Sequence, residues 1–181
     1  GGAILRLFED QSRAGAEPMN RVLGVFAKEP RPGEVKTRLA AAFGAEPAAQ
    51  LYEAFLRDLL PRLESLPTKL VLAYTPASGR NYFEQWGDGR FTIEEQTGAN
   101  LGVRMAYFFQ QQFERGADRV VLVGSDSPDL PTSRIEQAFA ELDRCDLVFG
   151  PSTDGGYYLV GMSRFVPGVF EGIDWSTTRV F

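Results

Sequence analysis

Residues 119–130 have the sequence RVVLVGSDSPDL, in which a run of branched apolar side chains ends at a glycine and a polar loop. A short apolar run bounded by turn residues predicts a buried strand at 119–124. Ser125, Asp126 and Pro128 follow that strand directly. Because ligands of open α/β sheets bind beyond the carboxyl ends of the strands, this loop is a candidate ligand site.

Similar apolar runs alternate with helical patterns along the rest of the chain. Strands are predicted at 21–27, 69–75, 91–96, 146–149 and 157–161, and helices at 35–43, 46–60, 81–86, 100–115 and 132–142. Pro61 is expected to end the second helix and Pro131 to occupy the first position of the last. Leu51 and Leu101 are expected on the apolar sides of their helices. The alternation predicts an α/β fold with a mostly parallel sheet covered on both faces.

Length and composition predict one globular domain. The chain has 181 residues, of which 44% are hydrophobic and 24% charged. We expect residues 1–18 to be an extension, native or added, with Met19 as a candidate start, and residues 19–181 to be a single domain. A net charge of −5 argues against nucleic acid as a partner, and no apolar run is long enough for a membrane span.

The residue inventory restricts the chemistry. The sequence has no histidine, which excludes Ser-His-Asp and Cys-His catalysis and histidine-bound zinc. Cys145 is the single cysteine, so the chain forms no internal disulfide or thiolate zinc cage, and a reducing cytoplasmic location is expected. Carboxylates, Lys, Arg, hydroxyls and backbone amides must carry any reaction.

The loop after the first predicted strand, KEPRPGEVKTR at 28–38, combines four cations, a glycine and the amides of a helix start. Positive charge and oriented amides suit a diphosphate or triphosphate. The spacing is not that of a Walker A motif. The alternative is a set of solvated cations on a Pro-Gly turn. The candidate phosphate-binding residues are Lys28, Gly33, Lys36, Thr37 and Arg38.

Asp126 is the candidate ligand for Mg²⁺ or Mn²⁺, because a carboxylate at a strand end can hold such a cation against phosphate oxygens. Ser125 beside it is a candidate phosphate contact. The alternative is that these residues cap the following turn and helix. Arg104, in GANLGVRM at 98–105, could reach phosphate from the first turn of its helix, or the segment could serve only as a helix cap.

The segment GPSTDGGYY at 150–158 is the third candidate loop. Gly155 and Gly156 would let the backbone approach a ligand closely. Asp154 could complete a metal site with Asp126 or polarise an acceptor hydroxyl, which makes both aspartates candidate catalytic residues. A plain type I′ hairpin turn is the alternative.

These blocks together resemble a known family. AKEPRPGEVKTRL, AAQLYEAFLRD, GANLGVRM, VVLVGSDSPDL, GPSTDGGYYLVG and DWST are similar to bacterial glycosyltransferase-like proteins, including the rSAM/selenodomain-associated transferases. That family has the GT-A, nucleotide-diphospho-sugar transferase fold, a three-layer Rossmann-like architecture with a mixed sheet. It is related to the molybdenum-cofactor and phospholactate guanylyltransferases.

The resemblance implies a Mg²⁺- or Mn²⁺-dependent transferase that takes a nucleotide or nucleotide-sugar donor and a small-molecule acceptor. It implies Lys28, Lys36 and Arg38 near the phosphates and Asp126 near the metal. Asp154, Gly155, Gly156 and Tyr157 would line the acceptor side.

The chain also departs from its relatives. It lacks their Gly-x-Gly phosphate loop and shows a single acid in Ser125-Asp126-Ser127 where glycosyltransferases have Asp-x-Asp. Glycosyl and nucleotidyl transfer therefore both stay open, as does a non-catalytic nucleotide-binding or regulatory protein with a degraded site. Relatives tend to continue past the position of Phe181, so part of the acceptor site is expected to be missing.

Overall fold

A computed structural model of the protein describes residues 5–9 (backbone), 19–87, 89–152 and 155–170. The described residues form a seven-stranded sheet in the order β1-β6-β7-β5-β2-β3-β4. The strands are β1 Leu5–Glu9, β2 Arg21–Lys28, β3 Lys69–Thr75, β4 Phe91–Glu95, β5 Arg119–Gly124, β6 Cys145–Pro151 and β7 Tyr157–Met162.

The sheet is mixed and mostly parallel, as predicted. Strand β2 pairs in parallel with β3 and β5, and β3 pairs in parallel with β4. Strand β7 runs antiparallel between β5 and β6, so β2 to β6 all point the same way. The carboxyl ends of these five strands therefore meet at one edge of the sheet.

Strand β1 lies in a segment where the sequence predicts no strand. It pairs antiparallel with β6, with Leu7 opposite Leu147. Its partner is about 140 residues away along the chain, so no local hairpin pattern could have indicated the pairing.

The helices are α1 Thr37–Phe43, α2 Ala45–Leu63, α3 Arg80–Phe83, α4 Leu101–Glu114 and α5 Thr132–Glu141, with 3-10 turns at Ala77–Gly79, Glu84–Trp86 and Pro167–Phe170. Pro61 does not end α2, which continues to Leu63. Arg62 in this last turn donates hydrogen bonds to the carbonyls of Pro128 and Leu130, and Leu63 is fully buried. These contacts outweigh the local cost of a proline. Pro131 is the N-cap of α5, with extended ψ of 133°, so it is not the first helical residue.

Two apolar layers cover the sheet. Alternate strand residues such as Val121 and Val123 face α2 and α5, whereas Val120 and Leu122 face α4. This arrangement confirms the three-layer α/β fold. Gly24 in β2 is required by that packing, since a Cβ atom there would lie 2.3 Å from the ring of Phe108 on α4.

Candidate functional site

A cleft of about 580 Å³ opens beyond the carboxyl ends of β2, β3 and β5, at the edge where the strand directions predict a ligand. It gathers residues from several segments that are distant in sequence. The polar residues that line it include Lys28, Glu34, Lys36, Tyr52, Thr75, Gln96, Arg104, Ser125, Asp126, Ser127, Ser152, Tyr157 and Tyr158. Six of the predicted site residues, namely Lys28, Lys36, Arg104, Ser125, Asp126 and Tyr157, thus share one cleft.

Lys36 and Asp126 form an ion pair across the cleft, with Lys36 Nζ 2.9 Å from Asp126 Oδ1. The lysine side chain is 17% exposed and the aspartate side chain 76% exposed. Lys36 Nζ also lies 4.8 Å from the ring centre of Phe55 and 5.9 Å from that of Tyr52, which are cation–π distances. The two loops predicted to bind phosphate and metal are therefore directly joined.

Tyr52 connects the ends of two neighbouring strands. Its hydroxyl accepts a hydrogen bond from the Lys28 backbone N–H at 3.0 Å and lies 2.6 Å from Ser125 Oγ. The Tyr52 side chain is buried, and this burial raises the pKa of its phenol, while the hydrogen bonds with Lys28 and Ser125 partly oppose the rise. Tyr52 therefore fixes Ser125 and the start of the loop that carries Asp126.

Tyr52 and Phe55 are site residues that sequence analysis missed. Both lie on α2, where Leu51, expected on the apolar side, is 42% exposed, whereas its neighbour Tyr52 is buried. Leu101, expected on the apolar side of α4, is likewise 45% exposed. The sequence signal that could have identified Tyr52 is its hydroxyl within an otherwise apolar helical stripe. Buried tyrosines usually have a hydrogen-bond partner, so such a hydroxyl indicates a polar contact.

The other two cations of the cleft are held by local contacts. Lys28 Nζ donates to the Glu34 carbonyl at 2.8 Å and lies 3.8 Å from Glu34 Oε2. Arg104 Nε donates to the Gly98 carbonyl at 2.9 Å. Asn100 caps α4, its Oδ1 accepting from the Val103 N–H, so the helix cap and an Arg104 facing the cleft occur together.

Several predicted residues lie elsewhere. Gly33, Thr37 and Arg38 are exposed and do not line the cleft, and Gly33 has a φ of 79° in the turn before α1. Gly155 and Gly156 belong to the turn between β6 and β7, where Ser152 N–H donates to the Gly156 carbonyl.

Asp154 lies outside the described residues, so its proposed role stays a prediction. Its described neighbour Gly155 has a φ of 86°, in the left-handed region that favours glycine.

The residues present suit a single hard cation. Asp126 offers a largely exposed carboxylate, with the Ser127 side chain also on the cleft wall. Within the described part of the chain, no three acidic or cysteine side chains cluster closely enough to form a metal site by themselves. Mg²⁺ commonly takes one or two carboxylates and completes its shell with water and phosphate oxygens, so this donor set fits such an ion.

Among the described residues, no helix combines the length and apolar character that a bilayer crossing requires.

Residues 61–177 match a family model described as an uncharacterized protein conserved in bacteria, DUF2064. The matched range includes the Asp126 loop and the turn between β6 and β7. No curated protein matches the chain.

Several solved structures are similar to the chain. A proposed nucleotide-diphospho-sugar transferase from Desulfovibrio desulfuricans is 39% identical, with a TM-score of 0.85 over 91% of this chain and 73% of the other. A cytidylyltransferase from Leptospira borgpetersenii is 10% identical, with a TM-score of 0.52 over 85% of this chain and 63% of the other, and shares the fold alone. The expected family resemblance and transferase-like fold are confirmed.

Proposed function

The chain belongs to the DUF2064 family, and we propose that it is a metal-dependent transferase using a nucleotide or nucleotide-sugar donor. The observation that carries this proposal is the Lys36–Asp126 pair in a cleft at the carboxyl ends of the parallel strands. A fixed ammonium and an exposed carboxylate in one cleft match the two halves of a metal–diphosphate complex. The similarity to a proposed nucleotide-diphospho-sugar transferase supports the same substrate class.

The donor would bind through its phosphates. Lys36, Lys28 and Arg104 bring three positive charges to the cleft, and Asp126 would hold Mg²⁺ or Mn²⁺ beside them. The bound cation would supply charge neutralisation at the leaving phosphate. The cations of the chain would stabilise the same charge as it grows, without a histidine or another proton donor.

The acceptor would approach from the turn between β6 and β7. Tyr157 lines the cleft directly after that turn, and Gly155 and Gly156 form part of it. We propose Asp154 as the group that polarises the acceptor hydroxyl or adds a second carboxylate to the metal. Both glycosyl and nucleotidyl transfer fit this arrangement, because their donors share the nucleoside and its phosphates.

A thermal-shift screen of nucleotides and nucleotide sugars, with and without Mg²⁺ or Mn²⁺, tests the proposal. A ligand at 100 times its Kd stabilises the folded state by about 2.7 kcal/mol, which is readily measured. Products then identify the reaction: pyrophosphate release indicates nucleotidyl transfer, and nucleoside diphosphate release indicates glycosyl transfer. Binding without turnover would favour the non-catalytic alternative, and no stabilisation by any nucleotide would contradict the proposal.

Variants locate the site once a nucleotide is found. Lys36→Ala should weaken binding by about 1.5–3 kcal/mol, the value of a charge-assisted hydrogen bond. Arg38→Ala is the matched control, since Arg38 is exposed outside the cleft. Asp126→Asn should make nucleotide affinity independent of Mg²⁺ or Mn²⁺. Asp58→Asn, on the exposed face of α2, should leave the metal dependence unchanged. Equal affinities in all four variants and the wild type would place the site elsewhere.

A further inference from the structure

The Lys36–Asp126 ion pair gives each residue a partner that competes with its proposed ligand. Lys36 would bind phosphate and Asp126 would bind a divalent cation, yet the two are joined at 2.9 Å. An ammonium at that distance from a carboxylate disfavours a second cation there, and a carboxylate at that distance from an ammonium disfavours a phosphate. Each ligand is therefore expected to bind less tightly while the pair is intact.

The two partners differ in how firmly they are held. The Lys36 ammonium is held over the rings of Phe55 and Tyr52, and its side chain is mostly buried. The Asp126 side chain is 76% exposed. The lysine is thus the fixed partner, and the carboxylate is the one that can turn toward another ligand without losing other packing.

The backbone at Lys36 adds a second observation. Its φ of 47° and ψ of 44° lie in the left-handed region. Among the residues that the structure describes, Lys36 is the only non-glycine residue with a positive φ. Non-glycine residues persist in this conformation when surrounding contacts impose it. At Lys36 the side chain is held by the ion pair and by the two aromatic rings.

We propose that Lys36 and Asp126 exchange partners on donor binding, so that the ion pair of the empty cleft weakens the binding of phosphate alone and of metal alone. Phosphate and metal then bind with positive cooperativity, because each ligand frees the residue that the other needs. Phe55 and Tyr52 act as positioning residues that keep the ammonium in place after Asp126 leaves it. This inference rests on the proposed function for the identity of the two ligands.

The test measures each ligand without the other. Inorganic pyrophosphate is titrated by calorimetry in the presence of a chelator, and Mn²⁺ alone is titrated by electron paramagnetic resonance of the free ion. Asp126→Asn should bind metal-free pyrophosphate about three- to fivefold more tightly than the wild type, because Lys36 is released. Lys36→Met should bind Mn²⁺ about three- to fivefold more tightly, because Asp126 is released.

Glu34→Gln and Arg38→Met are the control variants. Glu34→Gln removes a carboxylate of the same cleft whose ion pair is looser, with Lys28 Nζ 3.8 Å from Glu34 Oε2. Arg38→Met removes an exposed cation outside the cleft. The Lys28 hydrogen bond to the Glu34 carbonyl would survive Glu34→Gln. A general electrostatic effect would change the ligand affinities of both controls as much as those of the test variants. The exchange predicts smaller changes of affinity in the controls.

The outcomes separate the inference from the proposed function. Unchanged or weaker pyrophosphate binding by Asp126→Asn, including no detectable binding at millimolar concentration, overturns the exchange, as does unchanged Mn²⁺ affinity in Lys36→Met. Controls that match the test variants also overturn it. If both affinities rise but no nucleotide binds the wild type with metal, the exchange stands and the proposed donor is wrong. If the wild type binds metal–nucleotide but the two variants show no rise in affinity, the proposed function stands and the exchange is wrong.

Discussion

Replacing Tyr52 with phenylalanine should destabilise the protein and loosen the site together. The substitution removes only the hydroxyl, which bridges the Lys28 N–H at 3.0 Å and Ser125 Oγ at 2.6 Å. Tyr52 is 3% exposed and Ser125 4% exposed, so water cannot easily replace the lost partner. Each buried group left unpaired costs about 1–3 kcal/mol.

The expected loss is about 1–3 kcal/mol of unfolding free energy, rather than the sum of two full penalties. The substitution also removes the cost of burying the tyrosine hydroxyl itself, which offsets part of the two penalties. Urea unfolding measures the change, and a chain of this length should lose about 2–4 °C of melting temperature per kcal/mol. Tyr107→Phe, with an exposed tyrosine on α4, is the control and should change stability by less than about 0.5 kcal/mol.

The same variant should bind metal–nucleotide more weakly, because Ser125 immediately precedes Asp126 and loses its buried anchor. A Tyr52→Phe protein whose stability lies within 0.5 kcal/mol of the wild type would refute the argument from unpaired groups. A destabilised variant with unchanged nucleotide affinity would show that Tyr52 supports the fold without positioning the Asp126 loop.

Three further predictions concern the fold, the turn and alkaline stability. Gly24→Ala should lower the unfolding free energy in urea by about 1–3 kcal/mol, because its Cβ would overlap a ring of α4; wild-type stability would mean that the ring can move away. Asp154→Asn should reduce turnover by a factor of about 10²–10⁴ with the melting temperature retained, whereas wild-type turnover would leave only a turn role, since Asn-Gly suits a type I′ turn. Burial raises the pKa of Tyr82 to about 12, above the value of about 10 in unfolded chains. Between these values the folded state keeps the phenol proton that the unfolded chain loses, so the unfolding free energy should fall as pH rises from about 10 to about 12. Tyr82→Phe should make that decline in the urea midpoint shallower, and an identical decline would assign it to other groups.

The strands were predictable because they are buried on both faces. The sequence predicts 69–75 and 119–124 with the observed bounds, since each is a continuous apolar run between polar residues. Strand β1 was not predicted, because Leu5–Glu9 is short and carries Arg6 and Glu9, so it is not a continuous apolar run. Pro61 within α2 shows another limit of local signals, since the contacts of Arg62 with the Asp126 loop override a local stop signal.

The candidate site was predictable as a set of loops but not as a set of contacts. Lys36 and Asp126 were each indicated by position after a strand, and the structure brings both to one cleft. Their direct pairing depends on side-chain directions across 90 residues of sequence, which no local pattern contains. Tyr52 was missed for a related reason, because its contacts with Lys28 and Ser125 join residues that are far apart in the sequence.

Strand direction divides the cleft into two sides with different expected phenotypes. Strand β6 points the same way as β5, so its carboxyl end, with Ser152 beyond it, reaches the cleft edge, and β7 returns from that edge beginning at Tyr157. The proposed donor side is built from the loops after β2 and β5, and the proposed acceptor side from the turn between β6 and β7. Since the donor's phosphates would contact only the first, changes at Lys36 should appear in donor affinity. If Asp154 polarises the acceptor hydroxyl, changes in the turn should leave donor affinity intact and lower turnover. If Asp154 adds a carboxylate to the metal, the same changes should also weaken metal-dependent donor binding.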